Sequence, residues 1–270
     1  MTSQQEKAER FLALHHGDAP LLMPNPWDIG SARILESLGF QALATTSSGF
    51  AGTLGRLDGQ VTRDEALAHA ADVAGAVDGP VSADLENAFA DEPEGVAATI
   101  AGAIAAGLAG CSVEDYSRER GLYAPDLAAE RVAAAAEAAH SGVVHLVLTA
   151  RAENHIRGNP DLADTIARLQ SFQAAGADAL FAPGISKLDD IRRVIAEIDL
   201  PLNVLALPNA PTVAELGEAG VKRISVGGTF FYVGIGAVAE AARELLEQGT
   251  YGFWATAAPG SAVARAAFTS

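Results

Sequence analysis

Eight short apolar runs recur along the chain, each closing on polar residues and each followed by a stretch whose apolar positions have helical spacing. The runs are Leu21–Trp27, Ala42–Ser47, Val81–Glu86, Gly110–Asp115, Val144–Arg151, Ala179–Pro183, Leu202–Leu207 and Arg223–Gly227. Near-continuous apolar runs of this length suit strands buried on both faces. The stretches between them predict helices, among them Asp64–Val77, Glu94–Ala106, Leu127–Ala139, Leu162–Ala174, Lys187–Glu197 and Val213–Ala219. Gly107 and Gly176 supply stop signals for two of these. Eightfold strand–helix alternation predicts a closed (β/α)8 TIM barrel. The barrel forms one domain over residues 1–270, with residues 250–270 as a C-terminal extension. The competing fold is a doubly wound open sheet. It has fewer strands and a glycine-rich first turn, whereas the first turn here reads Pro24-Asn25-Pro26-Trp27-Asp28. The extension carries Phe253 and Trp254 and an Ala-rich stretch interrupted by Pro259-Gly260. Its apolar residues pack either on another subunit or on their own barrel.

Composition narrows the function. The chain has 270 residues, 49% of them hydrophobic, which is enough for a core that needs no cross-links. A single cysteine excludes an internal disulfide and any cysteine-cluster metal site. With 18 basic against 34 acidic residues the net charge is −16, so neither nucleic acid nor an anionic membrane is an expected partner. The start, Met1 to Arg10, is polar and lacks the apolar core of a signal peptide, and no apolar run reaches the ~20 residues of a bilayer span. The expectation is a cytoplasmic protein acting on a small molecule. Four histidines (His15, His16, His69 and His140) fall in helical or terminal stretches and are expected at the surface.

In a barrel of this kind the active site lies at the carboxyl ends of the strands. The third run ends Asp84-Leu85-Glu86, and residues two apart on a strand point to one side. The fourth ends Glu114-Asp115, and the fifth ends Arg151-Ala152-Glu153. Carboxylates from neighbouring strands repel one another unless something neutralises them. A divalent cation does so, and an all-oxygen ligand set with few direct contacts suits Mg²⁺, for which Mn²⁺ can substitute. The alternative is that these acids cap strands or pair with Arg118, Arg120 and Arg151. Arg151 offers a planar fork for a substrate carboxylate, or an ion pair for Glu153 or Glu114. Thr46, Ser47, Ser48 and Gly49 close the second run with hydroxyls and N–H groups. Asp58 reads locally as a turn aspartate.

These motifs, in this order and spacing, resemble the isocitrate lyase/phosphoenolpyruvate mutase superfamily. They are Ser82-Ala83-Asp84-Leu85-Glu86, Ser112-Val113-Glu114-Asp115, Thr149-Ala150-Arg151-Ala152-Glu153 and Leu54-Gly55-Arg56-Leu57-Asp58. The phosphoenolpyruvate mutase-like branch is the most similar, also through Pro24–Asp28, Leu202-Asn203-Val204-Leu205-Ala206 and Arg223-Ile224-Ser225-Val226-Gly227. The resemblance implies a barrel whose last helix is exchanged between subunits, giving homodimers or homotetramers. It implies Mg²⁺ held directly by Asp84 and, partly through waters, by Glu86 and Glu114. Arg151 with Thr46, Ser47, Ser48 and Gly49 would hold the carboxylate of a 2-oxo acid. Trp27 and Asn203 would complete the pocket, and Asp58 would stand beside the reacting centre. The implied chemistry is bond cleavage next to a carbonyl, passing through a pyruvate-type enolate.

Departures from the family pattern set the branch. The isocitrate and methylisocitrate lyases carry a Lys-Lys-Cys-Gly-His loop after strand four. Here that stretch reads Tyr116-Ser117-Arg118-Glu119-Arg120-Gly121-Leu122-Tyr123, without a cysteine, while Cys111 lies inside the strand as a core residue. The lysine–asparagine elements of the phosphonopyruvate-processing loop are absent too. The expected function is therefore a Mg²⁺-dependent 2-oxo acid lyase or decarboxylase, with Arg118, Arg120 and Tyr123 able to meet the distal end of the substrate. The alternatives are a P–C bond enzyme acting on phosphonopyruvate or phosphoenolpyruvate, and a catalytically silent barrel that binds 2-oxo acids. A Schiff-base aldolase lacks its nucleophile, since none of Lys7, Lys187 and Lys222 sits inward at a strand's carboxyl end. A sugar-phosphate site would rest on Gly227-Gly228 alone.

Overall fold

The structure is a computed structural model that describes residues 2–269. Its strands are β1 (Leu21–Met23), β2 (Leu43–Ala44), β3 (Val81–Asp84), β4 (Gly110–Glu114), β5 (Tyr116–Ser117), β6 (Gly121–Leu122), β7 (Val147–Arg151), β8 (Ala179–Phe181), β9 (Leu202–Leu205) and β10 (Arg223–Ser225). Its helices are α1 (Gln4–Leu14), α2 (Ile29–Ser37), α3 (Ser47–Thr53), α4 (Arg63–Ala76), α5 (Pro93–Ala105), α6 (Pro125–His140), α7 (Leu162–Ala174), α8 (Leu188–Ala196), α9 (Val213–Glu218), α10 (Thr229–Gln248) and α11 (Trp254–Phe268). Eight strands form one sheet in the order β1-β10-β9-β8-β7-β4-β3-β2, every neighbour parallel. The two ends of this sheet approach each other where Ala44 N–H donates to the Pro24 carbonyl at 3.1 Å. The barrel predicted from the apolar runs is thus present, with β5 and β6 added as a hairpin in the loop after β4.

Helices cover the barrel because their apolar stripes match the outward faces of the strands. On α7, Ile166, Leu169 and Phe172 are buried in the main core. Each such side chain contributes roughly 1.5–3 kcal/mol. The opposite, amino-terminal end is plugged by α1, whose Ala8 and Phe11 pack with Leu21, Met23, Ala109 and Val147. Gly110 is required there, since a Cβ would meet Phe11 and the Val147 carbonyl. At this same end Asp178 accepts from the Leu148 N–H at 2.7 Å and pairs with His140 at 3.0 Å and His145 at 2.8 Å, tying α6, β7 and β8 together.

Three expectations are corrected. His15, at the C-cap of α1, is fully buried, because its ring fills the barrel bottom against Phe11. His69 stacks on Phe50 at 3.9 Å and bonds the Trp27 carbonyl at 2.9 Å rather than facing water. Pro259 does not interrupt the extension, because α11 runs through it. α11 packs against α2 of its own chain, where Phe268 reaches Gly30. α10 behaves differently. Phe231 is its one buried residue, while Tyr232, Val233, Ile235, Val238, Leu245 and Leu246 are exposed.

Candidate active site

β3 ends at Asp84, and strand alternation ends with it. Glu86, Ala88 and Phe89 all have positive φ (49°, 59° and 54°), a conformation that side chains other than glycine adopt at a cost. Glu86 thus arrives through a left-handed turn, not through the pleat that the sequence suggested. Arg131 of α6, 1% exposed, holds this turn. It donates to the carbonyls of Ala90, Asp91 (2.8 Å) and Asn87 (2.7 Å), and its guanidinium lies 4.1 Å from the centre of the Tyr123 ring.

Arg151, at the tip of β7, gathers the acids of three strands. Its Nη1 donates to Asp84 Oδ1 at 2.9 Å, its Nη2 lies 3.1 Å from Glu114 Oε2, and Nε and Nη2 both donate to Glu153 Oε1 at 3.0 and 2.8 Å. Burial alone would lower the arginine's pKa, but Glu153, Glu114 and Asp84 outweigh it and raise the value. Of the five guanidinium N–H bonds, one on Nη1 is left uncommitted. Arg157 adds a second cation, 3.1 Å from Glu153 Oε2 and stacked 4.0 Å over Tyr116. Beneath them Asp115 pairs with Arg168 at 2.9 Å and accepts the Glu153 N–H at 2.8 Å, which fixes the strand tips.

The acids carry the mark of crowded, desolvated charge. Burial, then Asp84 and Asp58, pushes Glu86 up to about 7. Burial, with Glu153 and Asp84 adding to it, pushes Glu114 well above the carboxylate range. Glu86 Oε1 and Asp58 Oδ1 are buried with no hydrogen-bond partner among the described residues. The unsatisfied Glu86 oxygen, together with Asp84 Oδ2, fits a hydrated divalent cation. Among the described residues the carboxylates of Asp84, Glu86 and Glu114 do not lie close enough for one ion to touch all three. His140, His145 and Asp178 do lie close together, but the imidazoles are stacked parallel (5°, 4.0 Å), so no ion can lie in both ring planes. That cluster is a hydrogen-bonded clasp.

The mouth holds a cavity of about 160 Å³ lined by Thr46, Ser47, Ser48, Asp58, Asp84, Arg151, Asn203 and Arg223 among others. Glu86 and Glu114 line a neighbouring cavity of about 420 Å³ with Arg118. Two predicted pocket residues stand back from these cavities: Gly49 is buried in α3, and Trp27 packs behind it against Phe231. Asn203 is on the floor, donating to Ser225 at 3.0 Å and accepting from Arg223 at 2.9 Å. The Ser47 N–H donates to Asp84 Oδ2 at 3.2 Å. The backbone N–H groups of Val226 and Gly227 are both taken by Asn25 Oδ1, at 3.0 and 2.9 Å, which leaves neither for a phosphate.

On the hairpin loop the three residues considered for the distal end part company. Arg120 pairs with Asp91 at 2.8 Å, and the Tyr123 hydroxyl donates to the same carboxylate at 2.5 Å. Arg118 alone turns to the mouth, 3.6 Å from Asp58 Oδ2. It lies across Gly59, where φ is +72° and a Cβ would collide with the guanidinium. Cys111 is buried and its thiol is pushed up to about 12 by burial, so it cannot serve as an acid–base group at the mouth.

The sequence profile for phosphoenolpyruvate phosphomutase matches residues 11–246. The chain belongs to the phosphoenolpyruvate phosphomutase family. Among solved members, a Burkholderia cenocepacia J2315 protein provisionally described as a lyase/mutase superposes with a TM-score of 0.94 at 45% identity, over 97% of this chain and 96% of that one. An uncharacterized Mycobacterium tuberculosis H37Rv protein is 36% identical over 235 residues, 86% of this chain and 87% of its own. The 2-methylisocitrate lyase of Halalkalibacterium halodurans is 27% identical over 82% of this chain and 76% of its own. The phosphoenolpyruvate phosphomutase family thus sits within a superfamily of lyases and mutases, and this chain shares its barrel.

Two residues of the mouth went unassigned in the sequence. Arg157 follows Glu153 by one helical turn's spacing, a signal that was available. Arg223 bonds His15 across 208 positions, and nothing local announces it.

Proposed function

We propose that the protein is a Mg²⁺-dependent lyase that cleaves a carbon–carbon bond, or decarboxylates, next to the carbonyl of a small 2-oxo acid. The supporting observation is the pair of buried, unsatisfied acid oxygens at the mouth, Glu86 Oε1 and Asp58 Oδ1, beside a cavity sized for a small organic acid. The naming of a relative as 2-methylisocitrate lyase supports carbon–carbon cleavage. When bound, Mg²⁺ would act as a Lewis acid toward the substrate's carboxylate and keto oxygens. Asp84, Glu86 and Glu114 would hold it. The uncommitted N–H of Arg151, with the hydroxyls of Thr46 and Ser48, would orient the carboxylate and face the negative charge that develops as the bond breaks. Asp58, through Oδ1, would exchange the proton at the carbon left behind. The buried Cys111 cannot take that role.

In a panel containing oxaloacetate and longer 2-oxo diacids, at least one should be consumed in the presence of Mg²⁺ and none in EDTA. Asp58→Asn should lower kcat by about 10²-fold or more. Binding without consumption across the panel would instead indicate a silent barrel. The family's phosphomutase members raise a second reading, a P–C bond enzyme, which conversion of phosphonopyruvate followed by phosphorus NMR would reveal. Asn25 occupying the N–H groups at Val226 and Gly227 argues against that reading. We also propose that a second copy of the chain covers the exposed apolar side chains of α10, giving a dimer or tetramer.

A further inference from the structure

Arg223 is a guanidinium buried inside the barrel, with no acid paired to it among the described residues. It opens β10 and is 3% exposed. Its hydrogen bonds all go to neutral groups. Nε donates to Asn203 Oδ1 at 2.9 Å, and Nη1 donates to Thr149 Oγ1 at 2.8 Å and to His15 Nε2 at 3.1 Å. His15 is neutral, because Nδ1 donates to the Phe11 carbonyl at 2.8 Å and burial, reinforced by Arg223, holds the imidazole down to about 3. The acids nearest the mouth are committed to other arginines: Asp84, Glu114 and Glu153 to Arg151, and Asp115 to Arg168. The other deeply buried arginine without an acid partner, Arg131, has three carbonyls and a tyrosine ring instead. Arg223 has no such compensation, and burial together with Arg151 pushes its pKa down to about 9.

A buried charge with no opposite charge beside it is a strongly unfavourable arrangement. Its position suggests why this one persists. Arg223 lines the floor of the same 160 Å³ cavity that Arg151 lines from above, and its Nη2 makes no hydrogen bond among the described residues. Arg151 is already offset by Asp84, Glu114 and Glu153, so a ligand carboxylate held at Arg151 and the metal leaves the charge of Arg223 unanswered, and a second negative charge on the ligand would answer it. We propose that Arg223 is an anion seat at the cavity floor that makes the site select a small dianion over a monoanion. The inference rests on the reading that this cavity takes an organic acid, and it narrows the substrate class to diacids.

The test compares oxalate and pyruvate binding by calorimetry to the Mg²⁺-saturated wild type and to Arg223→Met and Arg223→Lys. The expected result is at least tenfold weaker oxalate binding in the methionine variant, with pyruvate weakened threefold or less. The lysine variant should keep oxalate within threefold. The methionine variant also leaves Asn203 Oδ1, Thr149 Oγ1 and His15 Nε2 without this donor, so its melting curve is recorded first to establish that it folds. Should that variant fail to fold, Arg223→Gln, which can still bond Asn203 or Thr149, gives the same comparison. Oxalate binding unchanged in the neutral variants overturns the proposal while leaving the organic-acid reading intact. Equal losses of both ligands that lysine does not restore also overturn it, and assign Arg223 a structural role. A wild type that binds neither acid overturns both the proposal and the reading beneath it.

Discussion

At the residue scale the mouth stores electrostatic tension, and Glu86 shows how to measure it. Its pKa is raised from the ordinary 4.5 to about 7 by burial and by its neighbours Asp84 and Asp58. An acid that holds its proton more tightly when folded makes the folded state less stable as pH rises from its unfolded value to its folded one, and has no further effect above that. The metal-free protein should therefore lose stability between about pH 4.5 and 7 through this group. Asp115, raised to about 6, acts in the same direction. Glu86→Gln should flatten this part of the profile and raise the melting temperature of the metal-free protein at neutral pH. An unchanged slope in thermal scans across that window would mean that Glu86 is not the strained group. The placement of two acids and their arginine was legible from the sequence, because Asp84, Glu114 and Arg151 stand at strand ends. Glu86 was identified for a reason that proved wrong, since a left-handed turn and not strand alternation delivers it.

At the element scale the strand ladders are shorter than the apolar runs that announced them. β1 stops at Met23 and β2 at Ala44, while the runs continue to Trp27 and Ser47. The surplus residues leave the ladder at the carboxyl ends and carry the mouth: Asn25, Thr46 and Ser47. Apolar patterning registers burial, and barrel tips are buried without being paired, so the two could not be separated from sequence. α3 was missed for a related reason. Its Ser47-Ser48-Gly49 start reads as a turn, and the Thr46 side chain caps it as a helix. The β3–α5 loop depends on a residue far away in sequence, Arg131. Arg131→Met would leave the carbonyls of Asn87, Ala90 and Asp91 without their donors. We expect a loss of about 2–4 kcal/mol in denaturant unfolding. We also expect Mg²⁺ affinity to fall by about 10–100-fold, as for other residues that support metal ligands. Loss of stability with metal affinity intact would show that Glu86 keeps its place without this clamp.

At the scale of the whole molecule, the barrel was readable because eight strand–helix units repeat one physical pattern. What joins the units was not: the His15–Arg223 contact spans the two ends of the chain, and the Arg131–Ala90 contact needs α6 packed beside the β3–α5 loop, so both exist only once the units are assembled. Assembly follows from the same surface logic. Helix α10 shows apolar side chains to solvent along most of its length, which a chain in water rarely tolerates. Light scattering should give a dimer or tetramer, and Val238→Glu with Leu246→Glu should shift it toward the monomer; a wild-type monomer would contradict the proposed coverage of α10. The central claim is that acids from neighbouring strand tips hold one hard cation that in turn receives an organic acid. Titration calorimetry of oxalate into EDTA-stripped protein, with and without added Mg²⁺, addresses it most directly. The account predicts binding that requires Mg²⁺, with one ion per chain, and that disappears in Asp84→Asn. Oxalate that binds equally well in EDTA, or to the Asp84→Asn protein as to wild type, would contradict it.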